Sequence, residues 1–234
     1  MSNSPEQTVA VIISSFGDRK PWNHLAMRAL ASVSHQRRPP DAVHRIHHET
    51  LCQARNEGAF IANADWLCFL DCDDELEPFY LMSMMKAAAK LQDGAAALLY
   101  PRVRYVEESP TSSIIPEPTD IPRVPILKMN FMVIGTLVRR DMFLDAEGFR
   151  DIPVYEDWDL WIRCCILGAE PQLVPGAIYR AYQHEGSRNS IRNHPAAVQY
   201  AKDVSHQIRE YNKEWQPHRA KVPFIPWPIS SSNQ

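Results

Sequence analysis

The apolar run Trp66-Leu67-Cys68-Phe69-Leu70 ends in Asp71-Cys72-Asp73-Asp74-Glu75, so four carboxylates fall within five positions. Like charges this close repel one another unless something positive stands between them. Carboxylates spaced as Asp-x-Asp at a strand end suit a hard divalent cation, Mg2+ or Mn2+. Such an ion needs only one or two carboxylates and completes its shell with substrate phosphates. The competing reading is that Asp73, Asp74 and Glu75 merely cap and polarise a helix beginning near Pro78. That reading leaves Asp71 unexplained.

A second acidic pair, Glu156-Asp157, opens the stretch EDWDLWIRCCILG. A helix start favours the ionised form of both groups. An ionised Asp in a crevice can accept a proton from an attacking hydroxyl. The alternative is ordinary first-turn acidity over a core of Trp158, Leu160 and Trp161. QHEGSRNS adds His184, Ser187 and Arg188. A His there can be a third metal ligand and an Arg can hold a diphosphate, although a lone loop His is more often just exposed. In ARNEG, Arg55 and Asn56 open a helix, a place suited to anions or simply a surface helix start. His44, His47 and His48 have strand spacing and read as structural or solvent-facing.

Elements must place these groups. TVAVIISSF (8–16) reads as a buried strand, HLAMRALASVSHQ (24–36) as a helix stopped by Pro39-Pro40, and AVHRIHHE (42–49) as a second strand. CQARNEGAFIANA (52–64) reads as a short helix and WLCFLD (66–71) as a third strand, buried on both faces. This alternation implies right-handed crossovers and a parallel sheet, with the ligand crevice beyond the carboxyl ends of its strands. Ser14-Ser15-Phe16, His48-Glu49 and the Asp71–Asp74 acids all stand at such ends. Further along, a helix is expected over 78–92 and strands over 97–107 and 130–143. A turn follows at 145–151, then a helix over 156–168, a strand from 173, and an amphipathic helix over 195–215.

The chain has 234 residues, 45% of them hydrophobic, ample for one sizeable core. A net charge of -3 gives no bulk attraction to nucleic acid or anionic membrane. The N-terminus lacks the basic start and long apolar stretch of a signal peptide, and no apolar run approaches a membrane span. The five cysteines include no CxxC pair and read as reduced structural thiols, so a cytoplasmic location is expected.

Together and in order, VAVIISSF, ALASVSHQRRPPDAV, ARNEGAFIANADWLCFLDCDDELEP, GTLVRRDMFLDAEGF and EDWDLWIRCCILG resemble the family 2 glycosyltransferases of the GT-A fold, over roughly Thr8 to Ser190. The resemblance implies an α/β, Rossmann-like fold. Its mixed, mostly parallel sheet would be flanked by helices, with a single GT-A domain over 1–194 and a C-terminal helix and Pro-rich tail over 195–234 packing on it. It implies transfer of a sugar from a nucleotide diphosphate donor, UDP-type favoured, to an acceptor hydroxyl, with inversion and with Mn2+ or Mg2+. Ser14 and Phe16 match the loop packing on the nucleobase, and Arg55 matches an Arg contacting the nucleotide. Asp73 matches the direct metal ligand and Asp71 a position nearer the ribose, with Asp74 sharing either role. Asp157 matches the catalytic base. Gly135 and Thr136 match the acceptor side, where Glu156 and Trp158 are also expected. His184 matches a late His completing the metal or diphosphate site, with Arg188 beside it on the donor. The family usually ends its second strand in an acidic pair followed by Gly-Ser. Here HHETLCQARNEG stands in that place, with Glu49 as the substitute and a further strand missing.

Two rival readings fit the same residues. One is a nucleotidyltransferase, which also uses paired Asp residues but would cluster glycines or basic residues near its front. The other is a non-catalytic nucleotide-sugar-binding module that kept the fold. The acceptor could be a glycan, a protein side chain, a metabolite or a modified nucleobase. The Pro-rich loop (107–128) and the tail (221–234) could cover its side.

Overall fold

In a computed structural model, the structure describes residues 6–91, 97–107, 113–114, 126–152, 154–183 and 195–215. The elements run β1 (Val9–Phe16), α1 (Arg19–Ser34), β2 (Ala42–His48), α2 (Leu51–Ile61), β3 (Trp66–Asp71), β4 (Glu75–Leu76), α3 (Tyr80–Ala88), β5 (Ala97–Glu107), β6 (Ser113–Ile114), β7 (Leu137–Arg139), α4 (Arg140–Asp145), α5 (Glu156–Ile166), β8 (Glu170–Gln183) and α6 (Pro195–Lys213). The strands form one mixed sheet in the order β2-β1-β3-β7-β5-β8-β4, with β6 paired to β5. Its long ladders, β1 with β2, β1 with β3 and β5 with β8, are parallel. Its antiparallel ladders are two residues each.

β1 and β3 are apolar on both faces because helices cover both sides. Val9 to Ile13 and Leu67 to Leu70 are wholly buried. In register, Ser14 of β1 stands beside Asp71 of β3 and Ile46 of β2. The carboxyl ends of these strands are therefore level, the edge at which open α/β sheets place their ligands.

α2 begins in a capping box. The Thr50 hydroxyl accepts from the Gln53 amide, and the Gln53 side chain accepts from the Thr50 amide. The helix lies close on β1 through Gly58, where a Cβ would stand 2.4 Å from Ile12 Cγ2. Ile12 is β-branched and buried, so it cannot swing away. Overpacking of this kind costs about 1–3 kcal/mol, and the helix preference of Ala over Gly returns about 1 kcal/mol. Gly58→Ala is therefore expected to destabilise the chain, read as a lower urea midpoint at an unchanged slope.

Two expectations need correction. The strand expected over 130–143 is a strand only at Leu137–Arg139, followed by α4. Local side-chain bonds explain the rest. The Asn130 side chain accepts from the Met132 amide, and Val133 O receives both the Thr136 amide and its hydroxyl. Such bonds offer the backbone an alternative to a ladder. Within the Pro-rich loop expected to be irregular, Ser113–Ile114 form a short strand on β5. The rest of that loop before Ile126, and the tail, lie outside the described residues. As expected, α5 ends near Gly168, whose φ of 97° suits glycine. Four cysteines are buried, the fifth is half-buried, and all are free thiols. No described helix is long and apolar enough to cross a membrane.

α6 packs on α5. Val204 and Ile208 meet Ile152, Trp158 and Ile162 in a small core of their own.

Candidate active site

β3 ends at Asp71, and the chain turns at once. The Asp74 amide donates to Asp71 O at 3.0 Å, and β4 follows. The turn folds three carboxylates onto one another. Asp71, Asp73 and Asp74 each offer an oxygen, all within 4.8 Å of one another. Three hard anionic donors at this spacing fit Mg2+ or Mn2+. Glu75 does not join them. It pairs with Arg28 at 3.5 Å and with Arg180 at 3.0 Å. Nor do the acids cap α3, whose N-cap is Phe79 with no side-chain cap bond.

Asp74 is the innermost of the three. Its Oδ2 accepts from the Tyr179 hydroxyl at 2.7 Å and its Oδ1 from the Tyr182 amide at 2.8 Å. Burial raises its pKa well above the ordinary carboxylate value, and the charges of Asp73 and Asp71 add to the rise. A carboxyl raised in the fold binds its proton more tightly there than in the unfolded chain. Stability is thus lost as pH rises above the unfolded value of about 3.9. Asp74→Asn cannot ionise, and it can still accept from Tyr182 and donate to Tyr179. Without added metal, this variant is expected to melt above the wild type at neutral pH. Each kcal/mol gained appears as about 2–4 °C in Tm. The gap should close near pH 4, and Mn2+ should raise the wild type more than the variant.

Arg55 of α2 is wholly buried, and it ties this turn to a distant element. Its Nη2 donates to Asp71 Oδ1 at 2.5 Å and its Nη1 to Glu156 Oε1 at 2.7 Å. Burial works against its charge, but Asp71 and Glu156 more than offset that and its pKa is raised. Glu156 is itself buried and opens α5. Asp157 follows, half-buried, in the first turn of that helix. Its Oδ1 accepts from the Trp158 amide at 2.7 Å, and the Asn130 side-chain amide approaches the same oxygen at 3.4 Å.

Ser14 is buried beside Asp71, and its hydroxyl has no partner among the described residues. Phe16 closes β1 opposite His48, and Glu49 lies exposed just past β2. The expected nucleotide contact of Arg55 meets a different arrangement, since both of its Nη atoms are held by carboxylates. Gly135, Thr136 and Trp158 are set into the interior. Gly135 O accepts from the Tyr80 hydroxyl, and a Cβ on Gly135 would meet the Tyr179 ring at 2.3 Å. Thr136 is wholly buried. The Trp158 indole N–H donates to Ile126 O at 2.7 Å. Thr136 and Trp158 thus have buried side chains. His184 and Arg188 lie outside the described residues. His47 bonds Ser15 at 3.0 Å and His48 pairs with Glu57, consistent with structural roles.

Tyr179, Tyr182, Asn130 and Arg28, whose Nη2 donates to Asp73 O at 2.5 Å, went unnoticed in the sequence. Their partners are far along the chain, and nothing local marks them.

Residues 28–145, half of the chain, match the model of the family described as Glycosyl transferase family 2. Solved structures of S. aureus TarS 1-349 share the fold. The complex with UDP-GlcNAc gives a TM-score of 0.63 at 14% identity, covering 89% of this chain and 68% of that one. The complex with UDP gives 0.61 at 13% identity, covering 89% and 67%. Against the longer TarS structure the TM-score is 0.58 at 14% identity, and this chain spans 43% of that one. No curated protein matches the sequence.

Proposed function

The chain belongs to glycosyl transferase family 2, and from that premise we propose that it moves a sugar from a UDP-type nucleotide-sugar to an acceptor hydroxyl, with inversion. The observation that carries this reading is the Asp71, Asp73, Asp74 cluster at the crevice, tied through Arg55 and Glu156 to the helix bearing Asp157. Similarity of fold to structures holding UDP and UDP-GlcNAc favours uridine in the donor.

Asp73, with Asp71 and Asp74, would hold Mg2+ or Mn2+. That ion, when bound, neutralises charge developing on the departing diphosphate. Ser14 and Phe16 flank the nucleobase from the end of β1, with Glu49 beside them from β2. His184 and Arg188 add a ligand and a guanidinium from the segment after β8. Asp157 accepts the proton of the acceptor hydroxyl, which then attacks the anomeric carbon from the face opposite the leaving group. Glycans, protein side chains, metabolites and modified nucleobases all supply such a hydroxyl. The cytoplasm is its proposed location, which its free cysteine thiols support.

The test is product analysis. Wild-type protein is incubated with UDP-sugars and Mn2+, with and without candidate acceptors. UDP release that is lost in Asp73→Ala supports the reading. Pyrophosphate release points instead to a nucleotidyltransferase, and binding without turnover of any donor points to a binding module.

A further inference from the structure

Arg55 is placed where a single side chain can set the distance between two halves of the site. It rises from α2, which is fixed against β1 by its capping box and by the close approach of Gly58 to Ile12. Its guanidinium is 1% exposed and uses one Nη on each of two carboxylates, Asp71 at the end of β3 and Glu156 at the start of α5. β3 and α5 are far apart in sequence and are not joined by any ladder. A planar fork with fixed nitrogen positions spaces two carboxylates more strictly than a point charge on a flexible stem.

The start of α5 needs such a restraint. Tyr155, immediately before Glu156, has φ 65° and ψ 25°, a left-handed conformation uncommon outside glycine. Residues held this way persist where their surroundings over-determine them, and they gather at functional sites. Here the surroundings are the Arg55–Glu156 pair, the edge-on packing of Tyr155 against Trp158, and the Trp158 indole bond to Ile126. Asp157 lies between Glu156 and Trp158, so both anchors of this turn flank it directly.

We propose that Arg55 and Glu156 are positioning residues that lock the Asp157 helix start to the Asp71 turn, so that donor site and base are held as one unit. Arg55 thus acts through carboxylates and not by touching the nucleotide. Asp71 gives Oδ1 to Arg55 and also offers an oxygen to the three-acid cluster. This inference rests on the transferase reading above.

The experiment compares wild type, Glu156→Gln, Arg55→Lys and the double variant. Calorimetry gives UDP affinity in Mn2+. Steady-state UDP release, corrected for folded fraction, gives kcat and KM. In Glu156→Gln, Arg55 still holds Asp71, so UDP affinity and KM should stay within about threefold. Displacing the base by about 1 Å should lower kcat by about 100-fold. Arg55→Lys keeps the charge but loses the fork, so kcat should fall as far and UDP affinity should fall about tenfold as well. The double variant should be no slower than Arg55→Lys, because both changes break one linkage. A Glu156→Gln enzyme within threefold of wild-type kcat overturns the proposal, as does a double variant whose losses multiply. If Glu156→Gln does not fold, Arg55→Lys decides, and unchanged kcat and affinity there overturn it. A wild type that neither binds UDP in Mn2+ nor releases it overturns the transferase reading, and the inference with it.

Discussion

Asp157→Asn is expected to lower sugar transfer by about 10²–10⁴-fold, the usual contribution of a positioned base, while UDP affinity in Mn2+ stays within about threefold. The substitution is nearly isosteric. Its side-chain oxygen can still accept from the Trp158 amide, so the turn that opens α5 keeps that bond. Its amide cannot take a proton from a hydroxyl. The three acids at the end of β3 are untouched, so binding and chemistry should separate cleanly. Steady-state transfer together with calorimetry on the same preparation checks this. A variant with wild-type turnover would place the base elsewhere, and a parallel loss of UDP affinity would make Asp157 part of the donor site.

The largest stability effect is expected two residues further along the same helix. Asp159 is wholly buried and accepts from Arg150 at 3.3 Å, from Arg163 at 2.8 and 3.1 Å and from Asn212 of α6 at 2.9 Å. Arg163 is also wholly buried, and its Nη2 donates to Gly148 O at 2.7 Å. Arg150 lies over the Tyr211 ring, 4.6 Å from its centroid. Burial lowers the pKa of Arg150, and Asp159 is the main influence holding it up. Asp159→Ala would leave two buried guanidinium groups without their shared carboxylate. Breaking a buried pair from one side costs about 3–5 kcal/mol. For a chain of this size that is about 6–20 °C in Tm. Because Asn212 anchors α6 to this carboxylate, α6 should lose protection from amide exchange before the sheet does. Asp159→Asn keeps the shape and should lose less. A thermal melt of the three proteins decides, and an Asp159→Ala chain melting within 2 °C of wild type would contradict a role for this cluster in holding α5 and α6.

How much of this was legible in the sequence depended on how local each cause is. β1 and β3 could be read because burial on both faces writes a continuous apolar run. The acids at the end of β3 could be read because the run stops there so abruptly. The segment 130–136 misled because its apolar residues look like a strand, while Asn130 and Thr136 fold it back through side-chain bonds. The residue type of Arg55 was informative, but its partners were not. A guanidinium meets phosphate or carboxylate equally well, and its carboxylate partners Asp71 and Glu156 lie 16 and 101 positions further along the chain. The Asp159–Arg163 pair had a readable signal, opposite charges four apart on one helix. It was overshadowed by Glu156 and Asp157 just before it. Tyr179 and Tyr182 had none, because their contact with Asp74 exists only once β8 is in the sheet.

The most direct measurement is a calorimetric titration of UDP into wild type and Asp73→Ala, each in Mn2+ and in a chelator. If Asp71, Asp73 and Asp74 hold a cation that in turn holds the diphosphate, wild type binds UDP at least about tenfold more tightly in Mn2+, about 1.4 kcal/mol, and Asp73→Ala shows no such gain. Equal UDP affinity with and without Mn2+ in wild type, or an undiminished gain in Asp73→Ala, would contradict a metal-dependent donor site at the end of β3.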